Sequence, residues 1–131
     1  MGLEIRDPIH GFINRRPREQ QIIDTRLFQR LRGIKQLALA SLVYPGALHT
    51  RFDHSIGAMH VAGRVAEKLN LAPEEQTVLR LAALLHDVGH GPFSHVSEEV
   101  LKGLSGKKQI HEQLTGGWPM FRSLSVAAKP R

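Results

Sequence analysis

The sequence contains no cysteine, which excludes both disulfides and thiolate metal sites. Any transition-metal site must therefore use His, Asp and Glu side chains. No apolar run approaches the roughly 18–20 residues that cross a bilayer, and the first residues lack the apolar core of a signal peptide. We therefore expect a cytoplasmic protein with no membrane partner.

Two common phosphate-binding motifs are missing as well. The sequence holds neither a GxxxxGK[ST] loop nor a GxGxxG fingerprint, and it has no serine nucleophile elbow. If this protein binds phosphate, then a metal ion and Arg, Lys or His side chains must bind it in place of a glycine-rich loop.

The composition is that of a soluble globular domain. A chain of 131 residues suits one domain, and 41% hydrophobic with 23% charged residues does not favour disorder. The net charge of +6 is compatible with phosphorylated partners, including nucleic acid. From charge alone, a solvated basic helix face is the simpler explanation.

The spacing of apolar residues predicts a mainly helical chain. Residues 7–13 combine Pro and Gly with alternating apolar positions, which favours a turn or short β-hairpin. Helices are predicted from Asp24 for about four turns, over residues 52–69, and from Pro73 to about Asp87. A short helix at 94–101 and another from about His111 follow. We predict an all-α fold with at most a short N-terminal β-hairpin.

Two of these helices carry patterns that locate the core. In the helix over 52–69, one stripe contains His54 together with Ala58, Val61, Val65 and Leu69, and this stripe is predicted to face inward. The helix from Pro73 is apolar almost all round, which predicts a central, buried helix.

Histidines are concentrated in the middle of the chain, where six of the eight lie between His49 and His95. His86 and Asp87 end the apolar helix, and burying an unpaired carboxylate there would cost several kcal/mol. A divalent cation is the simplest compensation, and Gly89 allows both side chains to turn inward. His54, on the inward stripe, is a third candidate ligand. A lone core histidine that bonds a backbone carbonyl is the alternative for it.

Further polar residues surround these three. His90 and His95 follow on a Gly-Pro turn, where they could move protons, contact phosphate or simply brace the loop. Glu98 could orient His95, although an ordinary exposed glutamate is nearly as well supported. Arg51, three residues before His54, could bind phosphate oxygens or pair with Asp53 or another acid.

Taken together, these residues resemble the HD-domain phosphohydrolases, in particular the branch of deoxynucleoside triphosphate triphosphohydrolases. The resemblance runs through Asp7–Gly11, Ile23–Thr25, Phe28–Arg32, Ile34–Leu37, Tyr44–Ala47, Arg51–Gly57 and Leu85–His95. Several of these segments in this order are very specific to the family.

The resemblance implies a role for each matching residue. His54, His86 and Asp87 would be the metal ligands. Gln36, Leu37 and Arg51 would border the nucleotide, His90 and His95 would face its phosphates, Glu98 would partner His95, and His111 would be a further active-site residue. In nucleotide-activated relatives, positions matching Asp24, Gln29 and Arg32 contact an effector nucleotide at an oligomer interface, so the resemblance also implies a homo-oligomer.

The sequence departs from the family pattern near its end. The family's metal set is completed by an Asp on a later helix, whereas no acid follows Glu112. Matching residues stop near Thr115, so we interpret residues 1–115 as the N-terminal part of an HD domain and residues 116–131 as an irregular tail outside the family. Either the chain is a fragment or has an altered C-terminus, or water or a partner chain completes the site.

The function implied by the resemblance is metal-dependent hydrolysis of a deoxynucleoside triphosphate to deoxynucleoside and triphosphate. His and carboxylate ligands suit Fe, Mn, Zn or Mg to differing degrees. Two alternatives stay open at this point. The same site could act on another nucleotide or phosphate ester, or the chain could be a catalytically silent module that binds nucleotide or nucleic acid.

Overall fold

The computed structural model describes residues 4–92 together with Val100 and Gly103. The described chain begins with an antiparallel hairpin of β1 (Glu4–Asp7) and β2 (Gly11–Asn14). Asp7 Oδ1 accepts hydrogen bonds from the backbone N–H groups of Ile9 and His10, both at 2.8 Å. Gly11 adopts a φ of 74°, which costs glycine no strain. The predicted short β-hairpin is confirmed.

Helix α1 (Pro17–Ile23) follows, and then α2 (Arg26–Gln29), which continues as a 3-10 helix (Arg30–Gly33). A second 3-10 helix covers Ala38–Leu42. The prediction of one four-turn helix from Asp24 was wrong. Asp24 is the C-cap of α1, and Thr25 caps α2 by accepting a hydrogen bond from the Phe28 N–H at 3.3 Å.

Long-range backbone contacts explain why that helix does not continue. The carbonyl of Ile34 accepts from the Arg51 N–H at 2.8 Å, and the Gln36 N–H donates to the His49 carbonyl at 3.1 Å. Lys35 forms an antiparallel β-bridge with Thr50. These hydrogen bonds hold residues 34–36 in an extended form against the start of the next helix, so tertiary pairing overrides the local helical pattern.

Helix α3 (Arg51–Lys68) agrees with the predicted helix over 52–69. A capping box fixes its start: Thr50 Oγ1 accepts from the Asp53 N–H at 3.2 Å, and Asp53 Oδ2 accepts from the Thr50 N–H at 2.8 Å. Beyond its end, Asn70 takes a φ of 50°, as expected of a residue that terminates a helix.

The inward stripe predicted for α3 was wrong. Val61, Val65 and Leu69 are 45%, 46% and 64% exposed. The buried face instead contains Phe52 and Met59 together with small residues such as Ser55, Gly63 and Ala66. Small and polar residues weaken the apolar signal of the face that packs on the rest of the domain, so the apolar period follows the neighbouring, exposed face.

Helix α4 (Pro73–Leu85) packs along α3 and is buried on one face rather than all round. Leu81, Leu84 and Leu85 are in the core, whereas Val78 is 54% exposed. The core of the described residues draws on strand β2, on all four α-helices and on the first 3-10 helix. It consists of Ile13, Ile22, Ile23, Phe28, Leu31, Ile34, Phe52, Ile56, Met59, Leu81, Leu84, Leu85 and Val88.

The architecture is mainly helical with one small sheet, which confirms the predicted fold class. Among the described residues, no helix is long and apolar enough to cross a membrane. The helices predicted at 94–101 and near His111, and the tail 116–131, lie outside the described residues, apart from Val100.

Candidate metal centre

The start of α3 and the end of α4 bring three predicted ligands together. His54 lies in the first turn of α3, His86 is the C-cap of α4, and Asp87 follows it. One ligand atom from each residue lies within 4.8 Å of the other two. His54 Nε2 is 3.2 Å from His86 Nε2 and 3.8 Å from Asp87 Oδ2. The convergence predicted from the sequence is therefore present.

A backbone contact fixes the orientation of the His86 ring. Its Nδ1 lies 2.7 Å from the carbonyl oxygen of Ala83. A carbonyl can only accept a hydrogen bond, so Nδ1 carries a proton and Nε2 is the ring nitrogen that faces the cluster. This support of a ligating histidine by a second contact is typical of metal sites.

The distances within the cluster fit one shared cation. Two ligand atoms at about 2.1 Å from one ion are roughly 3.0–3.4 Å apart when they subtend 90–109°. The two Nε2 atoms are 3.2 Å apart, and His86 Nε2 is 3.3 Å from Asp87 Oδ1, so both distances lie in this range. The distance of 3.8 Å from His54 Nε2 to Asp87 Oδ2 is longer and corresponds to a wider angle of about 130° at a shared ion. Neutral imidazole and carboxylate together suit a divalent ion. The residues present therefore fit the ion that the sequence predicted.

Asp87 is ionised in this setting, although it is buried. Burial by itself raises the pKa of its carboxyl group, but His86, Arg51, His90 and His54 act in the opposite direction, and the net pKa lies below its usual value. Arg51 Nη1 donates to Asp87 Oδ2 at 2.5 Å, with both side chains almost fully buried. The carboxylate is thus charged and held in one orientation.

The surroundings of His54 lower the pKa of its imidazole. Burial is the largest cause that lowers the pKa of its imidazole, and nearby His86 and Arg51 lower it further, while Asp87 raises it. Since only the neutral imidazole has a free lone pair for a metal ion, the net effect favours the ligating form. The side chain remains 39% exposed, so the cluster is open to solvent on this side.

Arg51 pairs with an acid other than its sequence neighbour. Asp53 is occupied by the capping box at Thr50, and the Arg51 guanidinium instead reaches Asp87. This position is directly beside the proposed ligands. The predicted contact with phosphate oxygens remains a prediction, and in the structure one nitrogen of the guanidinium is used to orient Asp87.

His90 lies against the same carboxylate. Its Nε2 is 3.5 Å from Asp87 Oδ1, and the residue is 4% exposed. Its backbone carbonyl accepts a hydrogen bond from Arg30 Nη1 at 2.8 Å. The two interpretations of His90 are therefore compatible, because a residue that is braced within the turn also faces the metal centre.

Gln36 and Leu37, two of the residues predicted to border the nucleotide, differ in burial. Gln36 lies beside the first turn of α3, and no described residue donates a hydrogen bond to its buried side-chain oxygen. Leu37 is 50% exposed. An open cavity of about 810 Å³ is lined by His54 together with the hairpin turn, the loop 46–49 and the outer face of α3. Neither Gln36 nor Leu37 is among the residues that line it.

The predicted effector residues gather at the junction of α1 and α2. Arg32 Nε donates to Gln29 Oε1 at 2.8 Å, and the Arg32 guanidinium carbon lies 3.6 Å from the centre of the Phe52 ring. Asp24 Oδ2 accepts from Gln20 Nε2 at 2.6 Å. The remaining predicted site residues, His95, Glu98 and His111, lie outside the described residues.

Sequence reasoning missed two arginines that support this site. Arg30 donates to backbone carbonyls of the turn after α4, and burial lowers the pKa of its guanidinium. Arg80 forms a buried ion pair with Glu19, and this pair joins α1 to α4. The net charge of the chain does not predict this role of Arg30, because a hydrogen bond between residues 60 positions apart leaves no local pattern.

Comparisons with known proteins identify relatives of this chain. A protein of Methanocaldococcus jannaschii named only as uncharacterized is 54% identical over 94 residues, which is 72% of this chain and 20% of that protein. A deoxynucleoside triphosphate triphosphohydrolase SAMHD1 homolog of Dictyostelium discoideum is 42% identical over 116 residues, which is 83% of this chain and 23% of that protein. The chain thus spans about a fifth of the length of these relatives.

A solved structure supports the fold as well. The crystal structure of a hypothetical protein from Aquifex aeolicus superimposes with a TM-score of 0.80 at 39% identity, over 98% of this chain and 34% of that one. The family model of the HD domain matches residues 51–117, a range that begins with the first turn of α3 and includes His54, His86 and Asp87. The chain therefore belongs to the HD domain family.

Proposed function

We propose that this chain is the metal-holding part of a phosphohydrolase that converts deoxynucleoside triphosphates to deoxynucleosides and triphosphate. The observation that carries the proposal is the convergence of His54, His86 and Asp87 on one point. His54, His86 and Asp87 would hold a divalent cation such as Fe, Mn, Zn or Mg. When bound, the cation would withdraw charge from phosphate oxygens as negative charge develops in the transition state.

The residues around the cluster would prepare it for this reaction. Arg51 fixes the Asp87 carboxylate through Oδ2, which leaves Oδ1 facing His86 and His90. The positive charge of Arg51 also lies close enough to oppose the negative charge of a bound phosphate. His90, which is buried beside Asp87, would contact that phosphate or move a proton.

In the proposed reaction, water adds to the α-phosphorus of the substrate. The new bond joins the water oxygen to phosphorus, and the bond between phosphorus and the 5′ oxygen of the sugar breaks. The water gives up a proton, and the departing 5′ oxygen takes one up, so the products are the deoxynucleoside and triphosphate. We assign the proton transfers to histidines of this region, with His90, His95 and His111 as candidates and Glu98 as the residue that orients His95.

The choice of substrate rests on similarity. The Dictyostelium discoideum relative is named as a deoxynucleoside triphosphate triphosphohydrolase homolog, and Gln36, Leu37 and Arg51 match the residues expected to border the nucleotide. Gln36 supports this role because its buried side-chain oxygen accepts no hydrogen bond from a described residue. A ligand that donates to this oxygen would satisfy it.

We further propose that Asp24, Gln29 and Arg32 bind an effector nucleotide in a homo-oligomer. Support comes from the paired side chains of Gln29, the half-buried last residue of α2, and Arg32, an exposed residue of the 3-10 helix. Among the described residues, the Arg32 side chain donates to Gln29 through Nε, and its two terminal nitrogens are the donors that would bind a phosphate. Nucleic acid is an alternative ligand for the exposed surface around Arg32.

The test measures metal content and product together. The chain is loaded with Mn, Fe, Zn or Mg, incubated with deoxynucleoside triphosphates and a set of other phosphate esters, and triphosphate release is followed. His86→Gln should lose both stoichiometric metal and activity. His49→Gln is the matched control, because His49 is an exposed histidine near the cluster but outside its ligand set.

Each outcome separates one function from another. Hydrolysis of a different ester by the metal-loaded chain would keep the phosphohydrolase and replace the substrate. Nucleotide binding without stoichiometric metal would mean a catalytically silent module. If neither this chain nor a longer protein that contains it releases triphosphate, the assignment to deoxynucleoside triphosphates is wrong.

A further inference from the structure

Arg30 connects the 3-10 helix after α2 to the turn that directly follows the proposed metal ligands His86 and Asp87. Its Nη1 donates to the carbonyl oxygen of His90 at 2.8 Å, and its Nη2 donates to the carbonyl oxygen of Val88 at 2.5 Å. The two nitrogens of one guanidinium therefore hold two carbonyls of one turn. This turn begins directly after Asp87.

The two carbonyls need this donor for a physical reason. The last carbonyls of a helix and of the turn after it have no partner within the helix, and Val88 and His90 are 0% and 4% exposed, so water has little access to them. A buried carbonyl without a donor costs about 1–3 kcal/mol. The positive charge of Arg30 is also favourable at the negative end of the α4 dipole.

Short-range backbone hydrogen bonds shape the rest of the turn. The Val88 N–H donates to the Leu85 carbonyl and the His90 N–H to the Asp87 carbonyl, both at 3.1 Å. Such bonds set the local curvature of the turn, and the ion pair with Arg51 holds the Asp87 side chain against α3. Arg30 supplies a contact from a third element, so it can define the direction in which Asp87 and His90 point.

We propose that Arg30 is a positioning residue of the metal centre, which fixes the turn 88–90 so that the Asp87 carboxylate and the His90 imidazole face His54 and His86. The proposal rests on the proposed function to the extent that a cation occupies this point. A lysine could not replace Arg30 fully, because a single ammonium group lacks the planar fork that meets two acceptors at once.

The experiment compares Arg30→Gln and Arg30→Lys with Arg26→Gln, a control on the exposed side of α2. The first measurement is the dissociation constant for Mn²⁺, followed by electron paramagnetic resonance. Loss of support for a ligand typically weakens metal binding about 10–100-fold, and we expect this for Arg30→Gln. Arg30→Lys should recover only part of the affinity, and Arg26→Gln should match the parent chain.

The second measurement needs no metal. The imidazole ¹⁵N resonances of His86 and His90 in the metal-free chain report how the turn is held, and they should move in both Arg30 variants but not in Arg26→Gln. If the parent chain binds no Mn²⁺ and these resonances still move, the positioning role stands and the proposed function fails. If Mn²⁺ binds and neither affinity nor resonances change in a folded Arg30→Gln, the positioning role is overturned.

Folding is the remaining outcome to separate. Should Arg30→Gln fail to fold, Arg30→Lys decides: Mn²⁺ affinity and imidazole resonances equal to those of the parent chain would overturn the proposal. Failure of Arg30→Lys to fold would also overturn it, because Arg30 would then support the whole domain rather than the turn.

Discussion

The ion pair between Glu19 and Arg80 should be the most sensitive charged contact in the described structure. Arg80 Nε and Nη2 donate to the two carboxylate oxygens of Glu19 at 2.6 and 2.8 Å, and Glu19 is 1% exposed. Replacing Arg80 with Met would leave this carboxylate in the core with the backbone N–H of Arg16, at 2.7 Å, as its one remaining donor among the described residues. The variant would bury an uncompensated charge.

The expected loss follows from that burial. Removing one partner of a buried ion pair costs about 3–5 kcal/mol of the free energy of unfolding, against a total of about 5–15 kcal/mol for a domain. At roughly 3–5 °C per kcal/mol for a domain of intermediate size, the melting temperature should fall by about 10–20 °C. Arg80→Met should therefore lose a large part of the unfolding free energy of the domain, because the ion pair between α1 and α4 is broken.

Urea denaturation followed by circular dichroism measures this loss, and the double variant Glu19→Leu/Arg80→Met tests its cause. Two apolar side chains of similar volume need no charge compensation, so the double variant should regain most of the stability lost by Arg80→Met. Arg64→Met, which removes an exposed arginine of α3, is the control and should change the unfolding free energy by less than about 0.5 kcal/mol.

Two results would refute this reasoning. A loss of less than about 1 kcal/mol in Arg80→Met would place the pair among exposed salt bridges, which are worth little. A double variant as unstable as Arg80→Met would mean that packing of the arginine side chain, and not the charge left behind, stabilises this part of the domain.

Three further predictions concern the helices around the site. Thr50→Ala should cost about 1 kcal/mol by removing the side-chain cap of α3, whereas Thr50→Ser should cost much less; equal unfolding midpoints in urea would contradict this. Gly63→Ala should destabilise the parent chain, because a Cβ at this position would overlap Arg80 Nη1. The same substitution should lower the unfolding free energy clearly less in the Arg80→Met background, and additive losses of stability would contradict the steric explanation. Burial lowers the pKa of His60 in the folded chain, so the folded state binds fewer protons than the unfolded state. The contribution of His60 to stability is therefore full above pH 6.5 and declines as the pH falls towards the folded pKa. His60→Gln should lack this part of the pH dependence of stability between pH 7 and 5, and a profile equal to that of the parent chain would contradict the prediction.

The elements that the sequence predicted well have strong local signals. Local residues mark the ends of α3 and the start of α4 without reference to the rest of the chain. They are Thr50 and Asp53 at the start of α3, Asn70 after its end, and Pro73 and Glu75 at the start of α4. The residues from Asp24 to Leu42 have no such independence. Their extended part is held by backbone hydrogen bonds to His49 and Arg51, and an apolar period in one segment carries no information on partners that lie elsewhere in the chain.

The candidate site illustrates a different limit. His54 was placed beside His86 and Asp87 on the assumption that its stripe on α3 faces the core, and that assumption was wrong, since Val61 and Val65 are about half exposed. The three residues meet nevertheless. The position of His54 at the edge of the buried face accounts for this, because the edge adjoins the end of α4 while one side of the imidazole remains accessible. A site that must admit both an ion and a phosphate needs such an edge, since a ligand at the centre of the buried face would leave no route for substrate. The placement that the apolar period failed to predict is therefore the one that the proposed chemistry requires.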